Sequence, residues 1–234
     1  MPETGGLFVI DAETGDTSQF TSVLDDGTCA FIAEAAAKNN GVYGFSATFD
    51  GTNENCYGLK TFTDKTGIYV RFYVYIDASF DITAAGYSVV FLAGIYDGFT
   101  RLASVQIITN GATNPDRWRF TGQDITSTTS TTNFSRGGWH RVEIRWLADA
   151  TVGGMQVWVD GDSVFAELDN NTSAYAADSI RIGSDSAGTG IPESRAYIYF
   201  DDIKAAETGP IGVYSAGGLS IPVAMAHYAR MRGR

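Results

Sequence analysis

The most constraining feature of this chain is the run Ile68–Ile76, IYVRFYVYI, in which apolar and polar-aromatic residues alternate without a break. A period of two places Ile68, Val70, Phe72, Val74 and Ile76 on one side of an extended strand, and Tyr69, Arg71, Tyr73 and Tyr75 on the other. A sheet with one face on a core and one face outward accommodates that pattern, whereas a helix would scatter both sets around its circumference. The strand opening at His140 repeats it, with Val142, Ile144 and Trp146 inward and Arg141, Glu143 and Arg145 outward. Further on, Ala196, Ile198 and Phe200 oppose Arg195, Tyr197, Tyr199 and Asp201.

Short alternating runs separated by Gly, Asn, Asp and Thr fill most of the chain and predict an all-β protein. Strands are expected near 7–10, 28–35, 41–49, 55–62, 67–77, 87–96, 101–109, 116–121, 139–147, 154–159, 163–168, 178–184 and 195–205. That many strands overfill a single open sheet, so they must split into two packed antiparallel layers or close into a barrel; a jelly-roll sandwich fits best. Ala33–Lys38 (AEAAAK) has helical propensity between strand-like runs and reads as a strand end or a turn. Asp124–Asn133 (DITSTTSTTN) reads as a solvated low-complexity connection. Trp118 alternates as a core residue, with Arg117 and Arg119 outward. The expected organisation is a sandwich over 1–206, a linker over 207–218 and a basic arm over 219–234. The arm (His227, Tyr228, Arg230, Arg232 and Arg234 among its residues) reads as a short helix opening at Pro222 that needs something to pack on.

Composition removes several functions. Sixteen Lys and Arg against 27 Asp and Glu give a net charge of -11, which repels nucleic acid and anionic membrane. No run reaches the ~18 apolar residues of a membrane span, and the start carries no basic-then-apolar Sec signal. Two isolated histidines and the lack of a C-x-x-C pair argue against zinc. Without a secretion signal, Cys29 and Cys56 are expected as reduced thiols.

The segment Gly137–Leu168 combines a G-G-W-H-R-V strand with a W-V-D-G hairpin at Asp160-Gly161, where a type I′ turn needs positive φ at both positions. This stretch resembles the laminin-G-like branch of the concanavalin A-like lectin/glucanase superfamily. Glu13–Phe20 (ETGDTSQF) is similar to the opening of bacterial and phage jelly-roll modules, and Tyr197–Ile203 (YIYFDDI) to their closing strand, so the resemblance spans roughly 7–205. It implies a two-sheet sandwich and, at the meeting of first and last strands, a structural calcium held by Asp201 and Asp202 with Glu13 or Asp16 opposite. The other reading of those aspartates is one capping a turn and one solvated.

If the alternating strands share a sheet, as the resemblance implies, Tyr69, Arg71, Tyr73, Tyr75, Arg141, Glu143, Arg145, Arg195, Tyr197 and Tyr199 form one outer surface. Rings that stack on pyranose C–H faces and forked guanidinium donors suit a glycan; a plain outer face or a contact with another subunit is the competing reading. Trp158 belongs either to that surface or to the core. The E-x-D-x-x-E of the superfamily's hydrolases is absent, as are the R-[TS]-E-L-R, Q-[IV]-H and Y-[FY]-K-A-G motifs of its alginate-lyase branch. The sequence therefore favours a non-catalytic structural and adhesive module of a phage virion or extracellular assembly, self-associating or bound to other virion proteins, with glycan binding. Second stands a polysaccharide lyase acting on uronate-containing glycans, with Arg71 or Arg145 facing the carboxylate and Tyr73 or Tyr199 moving the proton.

Overall fold

A computed structural model describes residues 6–25, 29–49, 55–78, 87–110, 116–185 and 196–212. Among them the strands are β1 (Gly6–Ile10), β2 (Ser22–Asp25), β3 (Ala30–Glu34), β4 (Gly44–Phe49), β5 (Cys56–Lys65), β6 (Gly67–Ile76), β7 (Tyr87–Asp97) and β8 (Thr100–Asn110). They continue with β9 (Arg117–Gly122), β10 (Ile125–Asn133), β11 (Trp139–Leu147), β12 (Gly153–Val159), β13 (Asp162–Asn170), β14 (Ala177–Ser184) and β15 (Ala196–Ala206). They build two antiparallel sheets. The eight-stranded sheet runs β13-β12-β11-β6-β15-β4-β3, with β1 also on β15; the seven-stranded sheet runs β10-β9-β8-β7-β14-β5-β2. First and last strands meet, Ile10 opposite Ile203 and Phe8 opposite Ala205.

The predicted inner faces are the core. Ile68, Val70, Phe72, Val74 and Ile76 are buried, as are Val142, Ile144, Trp146, Ile198, Phe200 and Trp118. Each such side chain contributes about 1.5–3 kcal/mol of apolar burial, so a one-residue slip of β6 would lose its whole inner row at once. The Asp160-Gly161 hairpin forms with φ of 54° and 103°.

Two expectations are corrected. The stretch taken as a loop is largely β10, paired along β9, because β-branched threonines suit a sheet edge however polar they are. AEAAAK is a strand end and a turn, as expected: Ala33 and Glu34 end β3, and Ala35–Ala37 form a single 3-10 helix. Cys29 and Cys56 are a disulfide, not free thiols, with Cα atoms 5.7 Å apart. It ties the residue before β3 to the start of β5, one in each sheet. The expected arm over 219–234 lies outside the described residues, whereas residues 207–212 at the start of the expected linker lie against the eight-stranded sheet, as set out below.

Candidate functional site

The outer face of the eight-stranded sheet brings together most of the predicted residues in four cross-strand rows. Trp139, Tyr75 and Tyr199 align; then Arg141, Tyr73 and Asp201; then Trp158, Glu143, Arg71 and Lys204; then Arg145, Tyr69 and Ala206. Trp158 is therefore on the outer surface, half-buried, and stacks on Tyr69 at 6.4 Å. Arg195 lies outside the described residues.

This face is not an open platform. Arg71 is 2% exposed and Glu143 3%. The chain that leaves β15 folds back across them: Ile211 and Gly212 donate their N–H groups to the Glu143 carboxylate, and Arg71 Nη1 donates to Gly212 O at 3.3 Å. Arg71 Nη2 donates to Asp202 O at 3.1 Å. Gly209 lies on the Tyr69 ring so closely that a Cβ would sit 2.7 Å from it. Burial depresses the Arg71 pKa, against the opposing pull of Tyr73, Asp202 and Glu143. In the first row the rings pack on each other, Tyr75 on Tyr199 at 5.7 Å and 18° and Tyr75 with Trp139 at 5.6 Å, and Tyr197 packs on Tyr199 at 6.0 Å. Rings stacked in this way spend their faces on one another and offer a sugar mainly edges.

For lyase chemistry these placements are unfavourable. The Arg71 guanidinium, 5.8 Å from the Tyr73 ring, is committed to two carbonyls. Arg145 and Tyr199 stand three rows apart, roughly 20 Å at the ~3.3 Å rise of a strand, too far to serve one sugar.

The four carboxylates expected around calcium have separate partners. Glu13 accepts from Val42 N at 2.8 Å, and Asp16 from Ser18 N at 3.0 Å. Asp201 accepts the peptide N–H groups of Asn39 at 2.7 Å and Asn40 at 3.0 Å, while Asp202, at φ 50°, accepts from Asn40 Nδ2 at 2.6 Å. Burial pushes Asp201 up to about 6 against those peptide donors, and raises Asp202 as well. Among the described residues no three of His, Cys, Asp or Glu converge as metal ligands. The Asp201 and Asp202 carboxylates pin the 39–40 loop on β15.

A second polar cluster, which alternation in single strands did not single out, lies on the outer face of the seven-stranded sheet. The Arg181 guanidinium is held between two phenol rings, 4.0 Å from Tyr96 and 5.1 Å from Tyr57. Arg181 Nη1 donates to Asp185 Oδ1 at 2.7 Å, and the Tyr96 hydroxyl donates to Asp185 Oδ2. Burial works against the charge on Arg181, but the hydrogen bond and charge of Asp185 outweigh it and hold the guanidinium above its ordinary value. Burial is also the main force raising both phenols, with Asp185 adding to it. Gly94, opposite Arg181, makes the packing feasible, since a Cβ there would lie 2.8 Å from both Phe91 and Tyr96. Beside them lie buried Ser104 and Gln106, with Arg119 opposite Gln106. Arg181 in S-I-R-I-G and the glycine inside β7 were the available signals.

No family model matches the chain, and no curated protein does. Solved structures do. An endo-β-1,4-glucuronan lyase from the fungus Trichoderma reesei is similar at TM-score 0.65 and 15% identity, over 87% of this chain and 96% of that one. The cellulose-induced protein Cip1 follows at 0.59 and 15%, over 86% and 97%. Alginate lyase vAL-1 from Chlorella virus gives 0.55 and 13%, over 87% and 100%. These findings correct the leading functional expectation. Structures matched over 96–100% of their own length include a glucuronan lyase and an alginate lyase, so the expectation of a non-catalytic virion module is not supported. No helix among the described residues is long and apolar enough to cross a membrane. The chain has the two-sheet antiparallel jelly-roll fold of these structures.

Proposed function

We propose that this chain is a polysaccharide lyase acting on a uronate-containing glycan, with the outer face of the seven-stranded sheet as its substrate surface. The observation that carries the reading is the Tyr57–Arg181–Tyr96 stack tied to Asp185. Arg101, Arg117 and Arg119 project from the same face, so cations gather there on a protein whose net charge is -11. A polyanionic chain needs such a patch to approach an acidic protein. The similar fold of a glucuronan lyase and an alginate lyase supports the substrate class.

In the elimination, the C5–H bond breaks with its proton passing to solvent water, a C4=C5 double bond forms, and the C4–O bond to the neighbouring sugar is cleaved, its oxygen taking a proton from an acid that recovers one from solvent. Forked donors from Arg119 and Arg181, with the Gln106 amide, are suited to the uronate carboxylate, whose charge otherwise opposes loss of the C5 proton. Tyr57 is half-buried and kept protonated by its surroundings, which suits it to give a proton to the leaving oxygen. Buried Tyr96 positions Arg181 and Asp185.

Incubation with glucuronan and with alginate should raise the ultraviolet absorbance of an unsaturated product, and Tyr57→Phe and Arg119→Ala should each reduce the rate at least tenfold with the fold intact. Lack of product from every polyuronate tried would remove the reading. The Cys29–Cys56 disulfide and a polysaccharide substrate together favour an extracellular location. Self-association is a separate proposal, read by light scattering of the full chain. Structural calcium is another: a fall of several degrees in melting temperature on chelation would support it.

A further inference from the structure

A third group of residues lies away from both faces, where the β10–β11 loop meets the β12–β13 turn. Ser135 Oγ is 3.0 Å from His140 Nε2, and His140 Nδ1 is 2.8 Å from Asp160 Oδ2. Hydroxyl, imidazole and carboxylate thus follow one another at hydrogen-bond distance in the order that nucleophilic catalysis by serine requires.

Each member is held by contacts outside the chain of three. The other Asp160 oxygen accepts Arg141 N at 2.8 Å, and Asp160 N donates to Arg141 O at 2.8 Å, which fixes the carboxylate on the hairpin. The His140 ring meets Trp118 edge-on at 5.7 Å and 90° and Phe134 at 5.2 Å, so it cannot swing away freely. Ser135 is anchored from both sides by Asp116, whose carbonyl accepts Phe134 N at 2.7 Å and whose carboxylate takes Arg136 Nε at 2.6 Å. The serine itself is exposed, and the space around the Gly138 Cα is open, with no atom within 4 Å of a Cβ placed there.

With Nδ1–H donated to Asp160, the neutral ring presents a lone pair at Nε2 to the Ser135 hydroxyl. Nε2 also lies 2.9 Å from Ser135 O, an acceptor that holds the Nε2–H once the ring has taken a proton. That carbonyl therefore stabilises the ring after proton transfer, which favours movement of the Ser135 proton to Nε2.

We propose that Ser135, His140 and Asp160 form an ester-hydrolysing site, independent of the lyase reading. Ser135 Oγ attacks the ester carbonyl carbon while its proton passes to His140 Nε2. The carbonyl–alkoxy bond breaks, the alcohol leaves with that proton, and an acyl-serine remains. Water then attacks the acyl carbon and gives a proton to Nε2, and Ser135 departs and recovers it, so that one water yields one acid and one alcohol. Trp118 and Phe134, the large apolar residues beside the site, are buried. They leave little apolar surface for a long acyl chain, so the substrate class is a short-chain acyl ester.

The test uses the full chain with p-nitrophenyl acetate, p-nitrophenyl octanoate and a fluorophosphonate probe whose adduct is mapped by peptide mass spectrometry. The expected result is labelling at Ser135 and turnover of the acetate in preference to the octanoate. Ser135→Ala should abolish both label and turnover, and His140→Asn should slow labelling about a hundredfold or more, with Ser135→Ala melting like the parent. An unlabelled Ser135, or turnover that survives Ser135→Ala, overturns the proposal and leaves the three residues as a structural pin.

Discussion

Breaking the Cys29–Cys56 link tests the architecture most directly, because its effect follows from the length of chain it closes. The two cysteines are 27 residues apart. Releasing a loop of that size returns about 3.5 kcal/mol of chain entropy to the unfolded state at 25 °C. Unfolding 234 residues carries an entropy of roughly 0.5 kcal/mol per kelvin, so the melting temperature should fall by about 7 °C. The fold itself should persist. Phe20, Phe31 and Phe45 pack within 5.0–5.6 Å of one another beside the disulfide and hold β3, β4 and the approach to β2 without it. Scanning calorimetry on the oxidised chain, the chain in reductant, Cys29→Ala and Cys29→Ala/Cys56→Ala separates the contributions. The single variant already loses the link, and the double adds only the packing of a second buried sulfur. A drop below 2 °C in reductant, or two free thiols per chain on denaturation without reductant, would refute the reasoning.

The assignment of the glycan to the seven-stranded sheet predicts that Arg119→Glu weakens polyuronate binding at least tenfold by calorimetry, while Arg141→Glu on the opposite face changes it less than twofold; the reverse order would exchange the faces. Glu143→Ala leaves Ile211 and Gly212 N–H groups and the Arg71 charge without their carboxylate, costing about 2–4 kcal/mol. Hydrogen exchange at 211–212 should then rise sharply; unchanged protection would mean that other contacts hold the strap. Asp201, pushed up to about 6 from 3.8, binds its proton more tightly folded than unfolded. Its contribution is thus full below pH 4 and is lost as pH rises from 4 through 6, by roughly 3 kcal/mol at 1.36 kcal/mol per unit. Urea midpoints of parent and Asp201→Asn should converge toward pH 4 and separate by pH 7; parallel curves would place the Asp201 pKa near its ordinary value.

The inner face of β6 was legible because a strict period of two admits a single strand orientation, and the same rule gave β11, β15 and the core position of Trp118. β10 was not, since its threonines were read by polarity instead of by their branched Cβ. The disulfide was misjudged because the reasoning ran from an assumed compartment, while the Cα separation that permits the bond exists only after β3 and β5 are brought to the same edge. The Arg181 cluster draws on β5, β7 and β14, and Tyr96 reaches Asp185 across 89 residues. A single strand shows one arginine or one tyrosine on its outward parity, and nothing local distinguishes that from ordinary surface. His140 stands on the apolar parity of its strand, which suggests a core residue. Its ring does lean on Trp118 and Phe134, but two nitrogens at its rim still meet Asp160 and Ser135.

The two outer faces began as equivalent surfaces and diverge through the path of the chain after β15. Once β15 pairs with β1 and with β6, its C-terminal end emerges over the Arg71–Glu143 row, and the nearest satisfied position for the following backbone is on those two side chains. Covering a guanidinium and a carboxylate with peptide groups is tolerable because N–H meets Glu143 and C=O meets Arg71; a strap without those polar matches would bury both charges at a cost of several kcal/mol. The residues most prominent in the sequence are thereby consumed in closing the sandwich. On the seven-stranded sheet the charged groups are matched differently: Arg181 is neutralised by Asp185, and Arg101 lies over the Phe91 ring. Under the proposed lyase reading, the arginines of the seven-stranded sheet are the groups that meet the carboxylates of the glycan, because those of the opposite face are spent on the strap.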